Sequence, residues 1–166
     1  STPSDDPLAV TAANLINLIN GERTGRGLKP LTVNGKMFSA ALTRAREMSV
    51  KADISVRPDG RKYDTVLKDY GLSFAAVNGS GTLTQDSNAL EIFQKLYNNA
   101  DCRKSMLTAA YTDAGAGIHR RSDGYYTVLL LAGNAVPSSG SGNSFDDLSN
   151  SWKELEKSLQ ELKDLF

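Results

Sequence analysis

An almost continuously apolar run, Tyr125 to Ala132, constrains the fold of this chain more than any other stretch. The run does not alternate between apolar and polar residues, which in a β-strand indicates burial on both faces and helices on each side of the sheet. The sequence Arg121-Ser122-Asp123-Gly124 precedes it and is a turn signal, because Asp and Gly tolerate the positive φ of a tight hairpin. We therefore predict a β-hairpin over residues 115–133 inside an α+β domain, a three-layer α/β/α sandwich.

The residues before the hairpin supply helices for these layers. Asp6-Pro7 is a helix-start signature, and apolar residues at helical spacing extend a first helix to about Arg23. Asn34 is the expected cap of a second helix, which ends near Ala52.

Further elements follow between the second helix and the hairpin. We predict a short helix over residues 62–70, a strand over 72–77, and a loop over 78–84, where Gly, Ser and Thr predominate. Asp86 or Ser87 is the expected cap of a third substantial helix, and residues 100–107 add one or two helical turns.

Composition excludes several classes of function. The charges of the 19 basic and 19 acidic residues cancel, so the chain has no net positive charge that would attract nucleic acid or an anionic membrane. No apolar run approaches the roughly 20 residues that cross a bilayer, so no transmembrane segment is expected. The single cysteine excludes an internal disulfide framework and a multi-cysteine zinc site. We predict no metal and no cofactor.

The ends of the chain differ in composition from its centre. Residues 1–7 are predicted to form a linker, 8–136 the folded domain, and 137–143 a second linker of Ser and Gly, a composition also typical of an engineered fusion. Residues 144–166 carry apolar side chains at alternating spacings of three and four, which predicts an amphipathic helix with a heptad seam. The seam consists of Phe145, Leu148, Trp152, Leu155, Leu159, Leu162 and Phe166.

Such a stripe needs a surface to cover it, because each buried apolar side chain contributes about 1.5 to 3 kcal/mol. The helix over 144–166 has three possible partners: its own domain, a second copy of the chain, or another protein or peptide. It lacks a basic polar face, so a membrane surface is the least favoured of its possible partners.

The order of these motifs resembles the CAP superfamily, also called the SCP or pathogenesis-related 1 type, in its compact bacterial form. The resemblance covers roughly residues 8 to 135. The matching stretches are Leu18-Ile19-Asn20-Gly21-Glu22-Arg23, Gly27-Leu28-Lys29-Pro30-Leu31, Arg57-Pro58-Asp59-Gly60, Cys102-Arg103, and Gly115-Ala116-Gly117 ahead of Tyr125-Tyr126.

The resemblance implies an α-β-α sandwich with a cleft that, in many members, holds two histidines and two acidic residues able to bind a divalent metal. This chain has Ser55 in place of the first histidine, Val77 in place of the acid beside Asn78, and Cys102 in place of the second histidine, with Arg103 retained. A two-histidine site cannot form in a chain with one histidine. The resemblance therefore implies a degenerate cleft.

Three functional hypotheses follow from the resemblance and the residues. The preferred one is a non-enzymatic binding module, secreted or at the cell surface, that recognises a peptide, protein or apolar ligand in its cleft. The first alternative is a cysteine-dependent hydrolase in which Cys102 is the nucleophile and His119 the base. The second is a structural carrier of an oligomerisation helix. The candidate cleft residues are Ser55, Arg57, Asn78, Cys102, Arg103 and His119.

Overall fold

A mixed four-stranded sheet of strand order β1-β3-β4-β2 lies at the centre of the computed structural model, which describes residues 6–134. β1 runs parallel to β3, whereas the β3–β4 and β4–β2 pairs are antiparallel. In chain order the elements are α1 (Pro7–Gly25), β1 (Thr32–Val33), α2 (Gly35–Val50), α3 (Thr65–Asp69), β2 (Ala76–Thr84), α4 (Ala89–Asn98), α5 (Ala100–Met106), β3 (Asp113–Arg121) and β4 (Gly124–Gly133).

The predicted hairpin is confirmed. β3 and β4 pair from Asp113 opposite Ala132 to Arg121 opposite Gly124, which leaves two residues for the turn. Gly124 has a φ of +135°, a value that L side chains rarely adopt. Residues 127–133 of β4 are buried, as the absence of alternation in this run predicts.

Two apolar cores, one on each face of the sheet, confirm the three-layer prediction. The first core joins α1, α4 and α5 to the side chains of Ala114, Ala116, Ile118, Leu129 and Leu131. The second joins α2 and α3 to Val128, Leu130 and Ala132. Alternate residues of one strand thus enter different cores, which is the geometry of a strand buried on both faces.

Gly115 and Gly117 allow α2 to approach β3 closely. A Cβ atom at position 117 would lie 2.2 Å from the backbone nitrogen of Leu42, and one at position 115 would lie 2.4 Å from the carbonyl carbon of Met37. Because both glycines lie on the same face of the strand, the backbone of α2 can pack directly against the sheet. The Gly-x-Gly motif is therefore a packing motif in this fold.

Most helix boundaries agree with the sequence-based predictions. The side chains of Asp6 and Asn34 cap α1 and α2 as expected, accepting hydrogen bonds from the backbone amides of the first turns. The predicted cap of α4 was wrong, because Asn88 caps that helix by accepting from Glu91 N. The predicted segment at 100–107 is confirmed as α5.

The prediction for residues 72–84 was wrong. The strand begins at Ala76, includes the whole stretch 78–84 that was predicted to be a loop, and pairs with β4 along nine residues. Glycine and serine have weak intrinsic strand propensity, but tertiary pairing and packing override local preference. The predicted linkers and helix over 137–166, and residues 1–5 of the predicted N-terminal linker, lie outside the described residues.

Arg23 joins the end of α1 to the segment between α5 and β3. Its side chain is 1% exposed, and its guanidinium donates hydrogen bonds to the carbonyl oxygens of Lys29, Met106, Thr108 and Tyr111 at 2.8–3.1 Å. Burial lowers the pKa of this group below its ordinary value. Five donors fixed in one plane suit this array of carbonyl groups.

Candidate functional site at the edge strand

β2 is an edge strand of the sheet, and two of the candidate residues, Asn78 and Cys102, come together beside it. Within residues 6–134 it pairs only with β4, and each residue from Ala76 to Leu83 is part exposed. An edge strand presents a row of backbone donors and acceptors that other chains can pair with. This edge therefore differs from the interior of the sheet in being accessible.

The register of β2 on β4 assigns each of its side chains to a face. Asn78 and Ser80 lie opposite Leu131 and Leu129, whose side chains belong to the α1 core. Gly79 lies opposite Leu130, which belongs to the α2 core. The α1 face of β2 is therefore polar, whereas its α2 face carries glycines.

Tyr63 covers the α2 face of β2. Its hydroxyl donates a hydrogen bond to the carbonyl of Val77 at 2.8 Å, and a Cβ atom at Gly79 would lie 3.0 Å from its ring. Two positions further along, a Cβ atom at Gly81 would lie 3.1 Å from Cε of Met48 and 3.6 Å from Cδ1 of Ile54. This side of the strand is thus walled by one aromatic and two aliphatic side chains.

Cys102 lies on the other side of β2. Its side chain is 4% exposed and belongs to the α1 core. Burial raises the pKa of the thiol, while the hydroxyl of Ser80, within hydrogen-bonding reach, opposes that shift. The Ser80 hydroxyl also donates to Oδ1 of Asn78 at 3.4 Å. A thiol with a raised pKa is protonated at neutral pH and is a poor nucleophile.

His119 lies on the opposite face of the sheet from Cys102. Two residues earlier on the same strand, Gly117 contacts the backbone of α2, so the side chain of His119 points to the α2 layer. Burial lowers the pKa of His119, and the positive charges of Arg46 and Arg121 lower it further. The sheet therefore separates the two residues that a cysteine-dependent hydrolase would need within hydrogen-bonding distance.

Arg57 lies in an internal ion network and is 4% exposed. Its guanidinium donates to both carboxylate oxygens of Glu47 at 2.9–3.2 Å and to Oδ2 of Asp69 at 2.7 Å. Arg44 donates to the same Glu47 at 2.8 Å and to the carbonyls of Asp53 and Ile54 at 2.8 and 3.1 Å. The network fixes the segment that carries Ile54 above β2.

Opposing influences act on the carboxylates of this network. Burial is the largest influence on Glu47 and raises its pKa, but the hydrogen bonds and charges of Arg57 and Arg44 together lower it below its ordinary value. Hydrogen bonds from Arg57 and then Arg61 lower the pKa of Asp69. Both carboxylates are therefore ionised at neutral pH.

The two remaining candidate residues lie in segments on opposite faces of the sheet. Ser55 is exposed, and its carbonyl accepts a hydrogen bond from the backbone amide of Tyr63 at 2.9 Å. Arg103 follows Cys102 in α5, donates to the carbonyl of Tyr97 at 3.0 Å and stacks over the Tyr97 ring. The structure thus brings Asn78 and Cys102 together at β2, with Ser55 joined to the same strand through Tyr63.

The residues present do not fit the divalent metal that the resemblance implies. Among residues 6–134, no group of three or more His, Cys, Asp or Glu side chains is placed to hold a metal ion. Ser55 and Val77 occupy positions expected for a histidine and an acid, and Val77 packs against the α2 core. We therefore assign no metal chemistry to this site.

Sequence reasoning missed Tyr63, Gly79, Ser80 and Gly81. One signal could have found the glycines: Gly79 and Gly81 repeat the spacing of Gly115 and Gly117, and glycines two apart in a strand lie on one face. The same spacing has different purposes in the two strands. In β3 the two glycines allow the backbone of α2 to pack against the strand, whereas in β2 they allow side chains to pack against it.

The fold is a three-layer α/β/α domain, and the candidate site surrounds its edge strand β2. Residues 16–132 match the family model described as CAP, the cysteine-rich secretory protein family. The chain belongs to the CAP superfamily, as the sequence motifs indicated. No helix within residues 6–134 is long and apolar enough to cross a membrane.

Known relatives agree with this assignment. The chain is 26% identical over 121 residues to the uncharacterized protein YkwD of Bacillus subtilis, covering 70% of this chain and 46% of YkwD. An extracellular SCP-domain protein of Bacillus anthracis superposes with a TM-score of 0.66 at 18% identity, over 75% of this chain and 40% of that protein. This chain thus spans less than half the length of either relative.

A third relative is similar in length to the matched domain. An outer surface protein of Borrelia burgdorferi superposes with a TM-score of 0.64 at 13% identity, covering 74% of this chain and 91% of that protein. At this level of identity the similarity establishes the shared fold.

Proposed function

We propose that this CAP domain is a non-enzymatic binding module that takes a peptide, protein or apolar ligand at the edge of β2. One observation carries the proposal: the sheet separates Cys102 from His119, while the edge strand between Tyr63 and Cys102 is part exposed. Such a site can bind but has no nucleophile paired with a base. Asn78 and Ser80 supply its polar groups, and Tyr63 supplies its aromatic wall.

We also propose that the protein acts outside the cell or at its surface. The support is the printed description of two relatives, an extracellular protein of Bacillus anthracis and an outer surface protein of Borrelia burgdorferi. Ser55, joined to β2 through Tyr63, and Arg103, next to Cys102 in α5, extend the proposed site.

Two ligand sources test the binding site on the full chain. A displayed library of random heptapeptides is panned against it, and the apolar dye ANS is titrated into it separately. We expect a selected peptide or the dye to shift the amide resonances of Asn78 and Ser80 in ¹⁵N-labelled protein. Asn78→Ala should weaken binding several-fold, because it removes a polar group of the site. Asn98→Ala, an exposed asparagine of α4, is the matched control and should leave binding unchanged.

Two results would contradict the proposal. Ligand-induced shifts confined to residues remote from β2 would show that the site is elsewhere. Hydrolysis of p-nitrophenyl acetate that exceeds the buffer rate and disappears in Cys102→Ala would restore the hydrolase hypothesis.

We further propose that residues 144–166 form an interaction helix through their heptad seam. Light scattering after gel filtration, over a range of concentrations, compares the full chain with Leu155→Lys, which places a charge in the seam. Gln160→Lys changes the same helix outside the seam and is the control. If self-association is the role of the seam, only Leu155→Lys lowers the mass, whereas a monomeric full chain excludes self-association.

A further inference from the structure

The edge of β2 that faces away from β4 presents the backbone groups of Val77, Gly79, Gly81 and Leu83. Thr112 N donates to the carbonyl of Ala132, so alternate residues of β4 point their backbone groups to the β3 side. The residues between them, such as Leu129 and Leu131, point to β2, where they pair with Ser80 and Asn78. Backbone groups alternate along a strand, so those of Gly79 and Gly81 point away from the sheet.

Two side chains that reach this edge confirm the direction independently. Tyr63 Oη donates to the carbonyl of Val77 at 2.8 Å, and Lys95 Nζ donates to the carbonyl of Leu83 at 2.6 Å. Val77 and Leu83 lie two or four positions from Gly79 and Gly81, so all four backbone carbonyls emerge on the same side of the strand. The edge is thus closed at both ends by side-chain donors.

Between these ends, the backbone groups of the two glycines have no partner among residues 6–134. Both glycines are part exposed and carry no side chain that would keep another backbone at a distance. Two N–H donors and two carbonyl acceptors therefore lie in a row on an accessible edge. An added β-strand can form hydrogen bonds with backbone groups arranged in this way.

We propose that an extended peptide adds to this edge, pairing antiparallel with Gly79 and Gly81. The inference rests on the proposed function, because it assigns a ligand class to the same site. From Val77 to Leu83 a strand measures about 20 Å, at roughly 3.4 Å per residue. Between the two closed ends there is room for about five extended residues.

The walls of the site indicate the side chains of the peptide. Peptide residues opposite the glycines would direct their side chains to the α2 side, beside Tyr63, Met48 and Ile54. The intervening residues would direct theirs to the side of Asn78 and Ser80. The site therefore favours a peptide in which apolar and polar residues alternate.

A second copy of this chain fits the edge less well than a peptide. Two β2 strands paired antiparallel about Ser80 would place Val77 of one copy opposite Leu83 of the other. The Tyr63 hydroxyl of one copy would then lie close to the Lys95 ammonium of the other. Both groups already donate to edge carbonyls, so they would crowd the two ends of the pairing. A short peptide carries no such groups at its ends.

The test uses the ¹⁵N-labelled full chain and a blocked pentapeptide of alternating Thr and Val, with Thr at both ends, which matches the room for about five residues between the closed ends. We expect saturable shifts and slowed hydrogen exchange at the amides of Gly79 and Gly81, with little change in the exchange of Ser80, whose amide already pairs with β4. Asn98→Ala, at an exposed position of α4 outside the site, should leave this binding intact.

Two N-methylated versions of the peptide sharpen the test. In antiparallel pairing the valines face the α2 wall and point their N–H groups at β2, so methylation of the valine nitrogens should weaken binding about tenfold or more. Methylation of the threonine nitrogens blocks only the outer edge and should leave the affinity within about twofold.

The outcomes separate this inference from the proposed function. If the pentapeptide does not bind while ANS or a library peptide shifts the amide resonances of Asn78 and Ser80, the binding module stands and edge pairing is wrong. Equal binding of the valine-methylated peptide also overturns edge pairing. A third outcome also contradicts the proposal. If, without peptide, hydrogen exchange at the amides of Gly79 and Gly81 slows as the protein concentration rises, the edge pairs with a second copy of the chain.

Discussion

β4 and β2 are paired strands of one sheet, yet they are stabilised in different ways. β4 is covered by helices on both faces and is buried from Thr127 onward, whereas β2 is part exposed and carries Gly, Ser and Thr along its centre. The first strand is held by apolar burial and the second by pairing and by the side chains above it. The comparison shows that strand formation at the edge depends on its surroundings more than on its own sequence.

The same substitution on the two strands tests this difference most strongly. Leu130→Ala removes a side chain with 0% exposure and should lower the free energy of unfolding by about 2–5 kcal/mol. Leu83→Ala removes a part-exposed leucine of β2 and should cost roughly half as much or less. Urea unfolding followed by circular dichroism measures both, and equal losses would contradict the comparison.

Alanine at one glycine of β3 and one of β2 provides a second test. Gly117→Ala forces a Cβ to within 2.2 Å of the α2 backbone and should destabilise the domain by about 1–3 kcal/mol. Gly81→Ala contacts the flexible end of Met48 at 3.1 Å and should change stability by about 0.5 kcal/mol in either direction. A large loss in Gly81→Ala would mean that the wall above β2 is rigid.

Acid should loosen the α2 side of β2 before it affects β4. The folded-state pKa values of Glu47 and Asp69 lie below their ordinary values of 4.5 and 3.8, so their stabilisation is present above those values and is lost as the pH falls through the folded pKa. We expect the urea midpoint to fall as the pH drops below about 4.5, the ordinary pKa of Glu47, and hydrogen exchange at Tyr63 to accelerate there before exchange in β4 does.

Glu47→Gln tests the origin of that acid response. It should cost about 1–3 kcal/mol at pH 7, because it removes a carboxylate that accepts from two arginines, and it should flatten the dependence on pH. Glu91→Gln, at an exposed position of α4, should do neither. An unchanged acid response in Glu47→Gln would place its origin in other carboxylates.

The sequence predicts the central part of this fold well because the signals there are strong and local. The apolar run of β4, the turn before it, and the caps Asp6 and Asn34 each determine one structure without help from distant residues. The strand over 76–84 has no such signal, because Gly79 and Gly81 become strand residues only when Tyr63 and Met48 cover them. Local propensity alone therefore predicts a loop there.

The candidate site could be predicted only in part, for a related reason. The motif positions located Asn78 and Cys102, which the structure places beside Ser80. Arg57 and His119 lie close to those motifs in sequence order, but the network of Glu47 holds the first and the sheet separates the second from Cys102. Which face a residue occupies depends on strand register, which local composition does not reveal.

Arg23 has a consequence for the order of folding. Its four carbonyl partners include groups 83 to 88 positions away along the chain, so most of its hydrogen bonds close a very long loop and should form after the transition state. Arg23→Lys, whose ammonium cannot reach four carbonyls in one plane, should leave the refolding rate nearly unchanged and raise the unfolding rate about tenfold. One buried side chain would then determine how long the native domain persists rather than how quickly it forms.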